Sequence, residues 1–325
     1  MKRIAFYIVV FIVIGELMIR FDQSFTLLED NRIVKISSDI ELTPEFKLLN
    51  SGNFPKSKKD LRIMVIGDSY IHGGGIEFES NFSQQLKKML QAEKLNFDNI
   101  WVLDISKSNS NNFDNNQSYF QFVNSFNPNI VILGYNLNDI DGELDKQKVE
   151  VTDIENFKET KTSGHKPKST IRKIYKAIYE SQFVRFSFKK THSFIKTFGI
   201  VLPNSRFDIT MKNYYQNRES WKKSKTLLKE VIDHSNKDNI QLIVYKFPEV
   251  NLLEYPQLFS KANESIKSYF ESFPSLIYVN GREVLKGEKS QDYMLSKYDG
   301  HPNEKAHEKM ADHVYRIIKQ NYKLN

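Results

Sequence analysis

Apolar runs and amphipathic segments alternate along the chain from residue 61 onward. Short runs with β-branched residues predict buried strands, whereas apolar residues that recur three or four positions apart predict helices. The predicted strands span residues 63–66, 100–103, 129–133, 240–245 and 276–279. Because helical segments lie between these strands, the pattern predicts right-handed βαβ units and a parallel sheet.

The predicted helices span residues 81–93, 117–126, 214–232, 262–270 and 304–319. In the last of them, Met310 and Val314 lie on the face expected to point inward. His307 and His313 are six positions apart and do not share a helix face well, so we expect them at the surface and not in a metal site.

The N-terminus begins with a basic pair and an apolar run. Lys2 and Arg3 precede residues 4–19, a run of 16 residues interrupted by Gly15 and Glu16. This is slightly shorter than the roughly 17–25 residues of a spanning helix. A cleaved signal peptide or a buried core helix could also explain the run, but only large residues follow it, so no small-residue cleavage site is present. The pattern favours a transmembrane anchor over residues 1–21, with the remaining chain outside the cytoplasm, periplasmic or extracellular.

Two further segments lack the strand and helix rhythm. Residues 22–60 show no sustained period and are interpreted as a stalk or a wrapping segment. Residues 151–207 form a basic insertion with helical character, and between Lys158 and Phe207 there are 12 Lys or Arg against two acids. Four interpretations of the insertion stay open: a solvated helical element packed on the core, an interfacial membrane helix, a lid over the site, and a surface for acidic glycans.

Composition narrows the chemistry that the chain can perform. Among 325 residues there is no Cys, which excludes disulfides, a thiol nucleophile and a thiolate metal site. Hydrophobic residues make up 40% of the chain, enough for a substantial core. The net charge is +7, but no nucleic-acid-binding motif is present, so we expect no nucleic-acid partner.

Four polar loops lie downstream of predicted strands. They are Gly67-Asp68-Ser69, Ser108-Asn109, Asn138-Asp139 and the stretch from Asp299 to Asn303. Because the carboxyl ends of parallel strands share one edge of the sheet, these loops can converge. Neither a phosphate-binding G-x-x-x-x-G-K-[ST] loop nor a G-x-S-x-G elbow is present.

The loops contain the groups that acyl transfer requires. A serine hydroxyl needs a base, and His301 can activate Ser69, with Asp299 as the nearest carboxylate to orient the imidazole. The backbone N–H groups of Ser69 and Asn109 and the side-chain amide of Asn138 can form an oxyanion hole. Asp68 and Asp139 are expected to fix their own loops. These residues could also be a turn serine, a loop histidine and a helix-capping asparagine without catalytic roles.

The blocks Gly67-Asp68-Ser69, Asn138-Asp139 and Asp299-Gly300-His301-Pro302-Asn303, in this order, resemble those of the SGNH (GDSL-type) hydrolase family. The resemblance covers residues 61–140 and 240–320. It implies a three-layer α/β/α fold with a flavodoxin-like, five-stranded parallel sheet. It also implies that Ser69 is the nucleophile, His301 the base and Asn138 part of the oxyanion hole.

Three positions depart from the family pattern. Asn109 and Asn136 stand where the family usually has glycine, although Asn tolerates positive φ better than most residues. The family's aspartate usually lies three residues before the histidine, where this chain has Tyr298. Asp299 lies two residues before His301, and Asp292 is a distant substitute.

These features predict a membrane-anchored, extracytoplasmic serine esterase or O-acyltransferase without metal or cofactor. It would act on acyl esters, in the first place acetyl esters, of a carbohydrate through an acyl-serine intermediate. A lipid esterase is a variant suggested by the basic, aromatic insertion. Two non-enzymatic functions stay open at this point: a glycan-binding protein with a decayed site, and a scaffold in an envelope assembly complex.

Overall fold

The structure of the chain, a computed structural model, describes residues 43–140 and 206–322, except residues 53, 56, 58, 94, 297 and 298. The predicted anchor over residues 1–21 lies outside the described residues, as does the predicted insertion apart from its last two residues. Within the described ranges, none of the helices combines the length and the apolar character needed to cross a bilayer.

A five-stranded sheet forms the centre of the domain. Its strands are β1 (Leu61–Ile66), β2 (Ile100–Asp104), β3 (Ile130–Tyr135), β4 (Gln241–Lys246) and β5 (Ile277–Asn280). They are all parallel and lie in the order β2-β1-β3-β4-β5. The predicted five-stranded parallel sheet is confirmed, and its order is the flavodoxin-like one, in which β1 and β3 form the topological switch point.

Eight α-helices and a small hairpin complete the described part of the chain. The helices are α1 (Pro44–Asn50), α2 (Ser69–His72), α3 (Phe82–Ala92), α4 (Asn112–Phe126), α5 (Arg206–Tyr215), α6 (Glu219–Lys237), α7 (Ser260–Glu271) and α8 (Glu304–Tyr322). The antiparallel hairpin consists of β6 (Met294–Ser296) and β7 (Asp299–Pro302). Short 3-10 helices span Phe78–Ser80, Leu137–Ile140, Val250–Leu252, Pro256–Phe259, Gly281–Leu285 and Ser290–Asp292.

The helices cover both faces of the sheet, so the domain has three layers. Alternate residues of each central strand point to opposite faces, as Val65 and Ile66 of β1 show. Ile66 packs in the cluster with the buried residues of α4, α6 and α7. Val65 packs in the cluster with those of α3 and α8. In this second cluster Met310 and Val314 are fully buried, as their helical spacing predicts.

Three features of the helices differ from the sequence prediction. Helix α4 begins five residues earlier than predicted, because a capping box of Asn111 and Asp114 starts it and its first buried positions are polar. The predicted helix 214–232 is two helices, since Asn217 adopts a φ of 48° between α5 and α6. His307 was expected at the surface and this is wrong, because the side chain is fully buried in the first turns of α8.

The described part of the predicted stalk packs on the domain. Leu49 of α1 and Phe54 are buried in the core cluster that contains α4. Glu45 is also buried and pairs with Lys87 of α3 at 2.5 Å. The described residues of this segment therefore pack against the domain.

Two glycines bring the carboxyl ends of β1 and β3 close together. A Cβ atom on Gly67 would lie 2.9 Å from the carbonyl oxygen of Gly134 and 2.6 Å from Cγ2 of Ile71. A Cβ atom on Gly134 would lie 2.6 Å from Cδ1 of the same Ile71. A side chain at position 67 would collide with the backbone of β3, whereas one at position 134 would displace the side chain of Ile71 in α2.

We expect Gly67→Ala to lower the free energy of unfolding by about 1–3 kcal/mol, because the added methyl group must displace backbone as well as a side chain. Gly74→Ala is the matched control, since the nearest atom to its Cβ is Ser108 Oγ at 3.7 Å. This control is expected to stay within about 0.5 kcal/mol of the wild type. Urea unfolding measures both, and equal stability of Gly67→Ala and wild type would contradict the packing argument.

Candidate active site

Ser69 lies in the sharp turn that follows β1. Asp68 caps the four-residue helix α2, and its carboxylate accepts a hydrogen bond from the backbone N–H of Tyr70 at 2.9 Å. Ser69 is the first residue of this helix and is partly exposed. The turn thus presents the serine hydroxyl at the carboxyl edge of the sheet, beside the switch point.

His301 and Asp299 reach Ser69 from the hairpin. The Oγ atom of Ser69 lies 3.0 Å from Nε2 of His301, and Nδ1 of His301 lies 2.6 Å from Oδ1 of Asp299. An ionised carboxylate can only accept, so Nδ1 carries the proton and Nε2 accepts from the serine hydroxyl. The structure therefore brings the three predicted residues together as a hydrogen-bonded chain.

The spacing of two residues between Asp299 and His301 follows from the strand conformation of β7. Residues i and i+2 of a strand point to the same face, so the two side chains lie next to each other. Oδ1 of Asp299 also accepts the backbone N–H of His301 at 3.0 Å, which ties the carboxylate to its own strand. Tyr298 lies outside the described residues, and Asp292 contributes its carbonyl oxygen to Asn303.

The charges around the imidazole favour its protonated form. The pKa of His301 is raised, chiefly by the hydrogen bond to Asp299 and further by the charges of Asp299 and Asp68, against the opposing effect of burial. The pKa of Asp299 is lowered, chiefly by the same hydrogen bond. Burial raises the pKa of Asp68, although hydrogen bonds from Tyr70 and Asn138 oppose the shift.

The three residues predicted to form the oxyanion hole lie in three neighbouring places. Ser69 is in the turn after β1, Asn109 is in the loop after β2, and Asn138 follows β3. Nδ2 of Asn138 donates to Oδ2 of Asp68 at 3.0 Å, which leaves its second amide hydrogen for another acceptor. The carbonyl oxygen of Gly67 accepts from Lys107 N at 3.0 Å and from Ser110 Oγ at 2.8 Å. This anchors the loop that carries Asn109 to the residue two positions before Ser69.

The structure shows how Asn is accommodated at positions 109 and 136, where the family pattern usually has glycine. Asn109 has a φ of 62°, the left-handed conformation for which glycine is usual and Asn is tolerated. Asn136 is buried, and its backbone N–H donates to Asp139 at 2.8 Å. Oδ1 of Asn136 accepts from the backbone N–H of Leu137 at 2.8 Å.

Several residues around the site were not singled out from the sequence. Tyr70 packs its ring against that of His301, with centroids 5.2 Å apart. Asn303 donates from Nδ2 to the carbonyl oxygens of Asp292 and Met294, and its Oδ1 accepts from Ala306 N in α8. Two signals in the sequence could have found these residues. Tyr70 directly follows Ser69, and Asn303 follows a proline just before the last helix.

A buried histidine also lies near the site. Burial lowers the pKa of His307 to about 3, so the side chain is neutral at physiological pH. Over the described ranges, no group of three His, Asp or Glu side chains is placed to hold a metal ion.

Solved structures similar to this chain include several hydrolases. A psychrotrophic esterase from Pseudoalteromonas sp. is 15% identical, with a TM-score of 0.46 and coverage of 82% of this chain and 100% of the esterase. A catalytic mutant of an acetylxylan esterase from Geobacillus stearothermophilus is 13% identical, with a TM-score of 0.47 and coverage of 81% and 95%. A lipase from a goat rumen metagenome is 12% identical, with a TM-score of 0.45 and coverage of 79% and 96%.

Sequence comparison identifies the family directly. No sequence among curated proteins matches the chain. The family model of the GDSL-like Lipase/Acylhydrolase matches residues 63–314, a span that runs from β1 into α8 and covers more than half of the chain. The chain therefore belongs to the GDSL-like lipase/acylhydrolase family, and it is a serine ester hydrolase.

Proposed function

We propose that the protein removes a small acyl group, acetyl in the first place, from a carbohydrate ester through an acyl-Ser69 intermediate. The observation that carries the proposal is the hydrogen-bonded chain of Ser69, His301 and Asp299, with heavy-atom distances of 3.0 and 2.6 Å. Such a chain supplies nucleophile, base and orienting carboxylate. A glycan-binding protein with a decayed site would not need all three in contact.

In the acylation step, Oγ of Ser69 attacks the ester carbonyl carbon while Nε2 of His301 takes the hydroxyl proton. The carbonyl oxygen becomes an oxyanion, for which the N–H groups of Ser69 and Asn109 and the amide of Asn138 are the donors. Loss of one such donor costs on the order of 3–4 kcal/mol of transition-state stabilisation. When the bond to the sugar oxygen breaks, that oxygen takes the proton back from His301.

In the second step, water attacks the acyl carbon while His301 removes its proton. The carboxylic acid leaves, and the hydroxyl of Ser69 is restored with the proton from Nε2. A sugar hydroxyl in place of water would make the same residues an O-acyltransferase. Asp299 remains ionised throughout and stabilises the imidazolium that forms twice in the cycle.

An open site supports a bulky substrate with a small acyl group. The side chains of His301 and Asp299 are 37% and 49% exposed, so the catalytic pair lies at the surface and not in a deep cleft. A polymer can approach such a site from solvent. We place the site outside the cytoplasm because Lys2 and Arg3 precede the apolar run of residues 4–19.

Fluorophosphonate labelling of the full-length protein tests the nucleophile. We expect wild type to be labelled at Ser69, Ser69→Ala to be unlabelled, and His301→Ala to be labelled at least about a hundredfold more slowly, since a positioned base contributes 10²–10⁴-fold. His313→Ala is the matched histidine control and is expected to react like wild type, because His313 contacts Tyr245 in the layer between α8 and the sheet. A folded wild type that is not labelled would favour a glycan-binding protein instead.

The pH dependence of kcat/KM tests the role of Asp299. His301 must be neutral to act as base, so a raised pKa places the acidic limb above the usual histidine value of about 6.5. In Asp299→Asn the limb should move to lower pH, because the imidazolium loses its partner, and the plateau should also fall. Asp292→Asn, on the segment that leads into the same hairpin, is expected to leave the profile unchanged. An acidic limb that does not move in Asp299→Asn would contradict the assignment.

Acyl-chain preference tests the substrate class. We expect p-nitrophenyl acetate to be hydrolysed at least about tenfold faster, as kcat/KM, than the octanoate ester, and acetate to be released from acetylated xylan, whereas Ser69→Ala does neither. Preference for octanoate would instead support a lipid esterase. Acetate transfer to an added sugar, measured as acetylated product, would identify the acyltransferase.

A further inference from the structure

Tyr70 connects the serine turn with the hairpin that carries the base. It directly follows Ser69 in α2, and its ring lies against the imidazole of His301 at a tilt of 48° with centroids 5.2 Å apart. Its hydroxyl lies 3.5 Å from the carbonyl oxygen of Gly300, the residue between Asp299 and His301. One side chain therefore contacts both the base and the backbone that positions it.

The surroundings of Tyr70 keep its hydroxyl protonated. Burial raises the pKa of Tyr70, and the carboxylates of Asp68, Glu249 and Asp299 raise it further. The side chain of Asn136 is the interaction that opposes the shift. The protonated phenol can donate to a backbone oxygen, and the carbonyl oxygen of Gly300 lies 3.5 Å from it.

The hairpin does not fix the imidazole by itself. Its strands are three and four residues long, and their pairing is irregular between Met294 and Ser296. Asp299 restrains Nδ1 of His301 and Ser69 hydrogen-bonds to Nε2, but these two bonds leave the ring able to rotate about the line that joins the two nitrogens. With 37% of the His301 side chain exposed, solvent supplies no restraint on its exposed face. A contact on the face of the ring restrains this rotation, and the ring of Tyr70 makes one.

We propose that Tyr70 is a positioning residue for His301: its ring packs on the imidazole and sets the plane of that ring, so that Nε2 stays within reach of Ser69. Its hydroxyl, 3.5 Å from the Gly300 carbonyl oxygen, adds a weaker contact with the hairpin. The inference rests on the proposed function, since it assigns a role in the proton transfer between these two residues. Catalytic geometry must be held within about 0.5 Å, so a tilting base loses rate without any loss of substrate binding.

The test compares Tyr70→Phe and Tyr70→Leu in the full-length protein. The second-order rate constant of Ser69 phosphonylation by a fluorophosphonate and the kcat and KM for p-nitrophenyl acetate are measured well below the melting temperature. We expect Tyr70→Leu to lose about tenfold or more in kcat and in labelling rate, a part of the 10²–10⁴-fold effect of a positioned base, with KM within about twofold. Tyr70→Phe keeps the ring and should lose about two- to fivefold.

Tyr119→Phe is the matched control for removal of a buried tyrosine hydroxyl. Tyr119 lies in the helix layer of α4 and α6, where its hydroxyl contacts Ser235 and His234. This variant should melt at a lower temperature and keep the wild-type labelling rate within about twofold. A role in folding alone would lower the melting temperature of the Tyr70 variants in the same way, but not their rate constants.

The outcomes separate this inference from the proposed function. If wild type is labelled and Tyr70→Leu reacts within about twofold of it, the role of Tyr70 is overturned and the proposed function stands. If folded wild type is not labelled, both are overturned. Should Tyr70→Leu not fold, Tyr70→Met fills the same space with a flexible chain and no ring, and the same rate comparison decides.

Discussion

The placement of the nucleophile beside the Asn138 loop depends on the close approach of β1 and β3 at their carboxyl ends. Gly67 lets the two backbones meet there, because a Cβ atom at this position would lie 2.9 Å from the carbonyl oxygen of Gly134. The turn with Ser69 is thereby held beside the loop with Asn138 at the switch point of the sheet. Asp68 then joins the two loops, because its buried carboxylate caps α2 and accepts from the Asn138 amide.

The fold was largely predictable because most strands and helices carry a regular apolar pattern. Five short β-branched runs predicted all five strands of the sheet to within about two residues at each end. The pattern failed where buried positions are polar: Asn112, Asn115 and Ser118 face inward in α4 and conceal its first turns. The pattern also failed at His307. A polar residue in a helix is predicted to be exposed, but packing buries this side chain completely.

The site was predictable as far as its loops follow strands of one parallel sheet. That rule brought Ser69 and Asn138 together on one edge, but it does not apply to the hairpin β6–β7, which lies outside the sheet. The rule was nevertheless extended to the stretch from Asp299 to Asn303, and the resemblance implied the same role for His301, but in the structure His301 reaches Ser69 from this hairpin. The contact of Tyr70 with His301 joins residues 231 positions apart through ring packing, and no local pattern signals such a contact.

The strand conformation of β7 has a consequence for how this sequence can change over time. Asp299 and His301 share a face because one residue lies between them, so inserting or deleting a single residue there would turn the carboxylate to the opposite side. The residue between them is also confined, because a Cβ atom on Gly300 would lie 2.8 Å from Cβ of Asn251. As long as the segment keeps its strand conformation, both its length and its middle residue are therefore constrained.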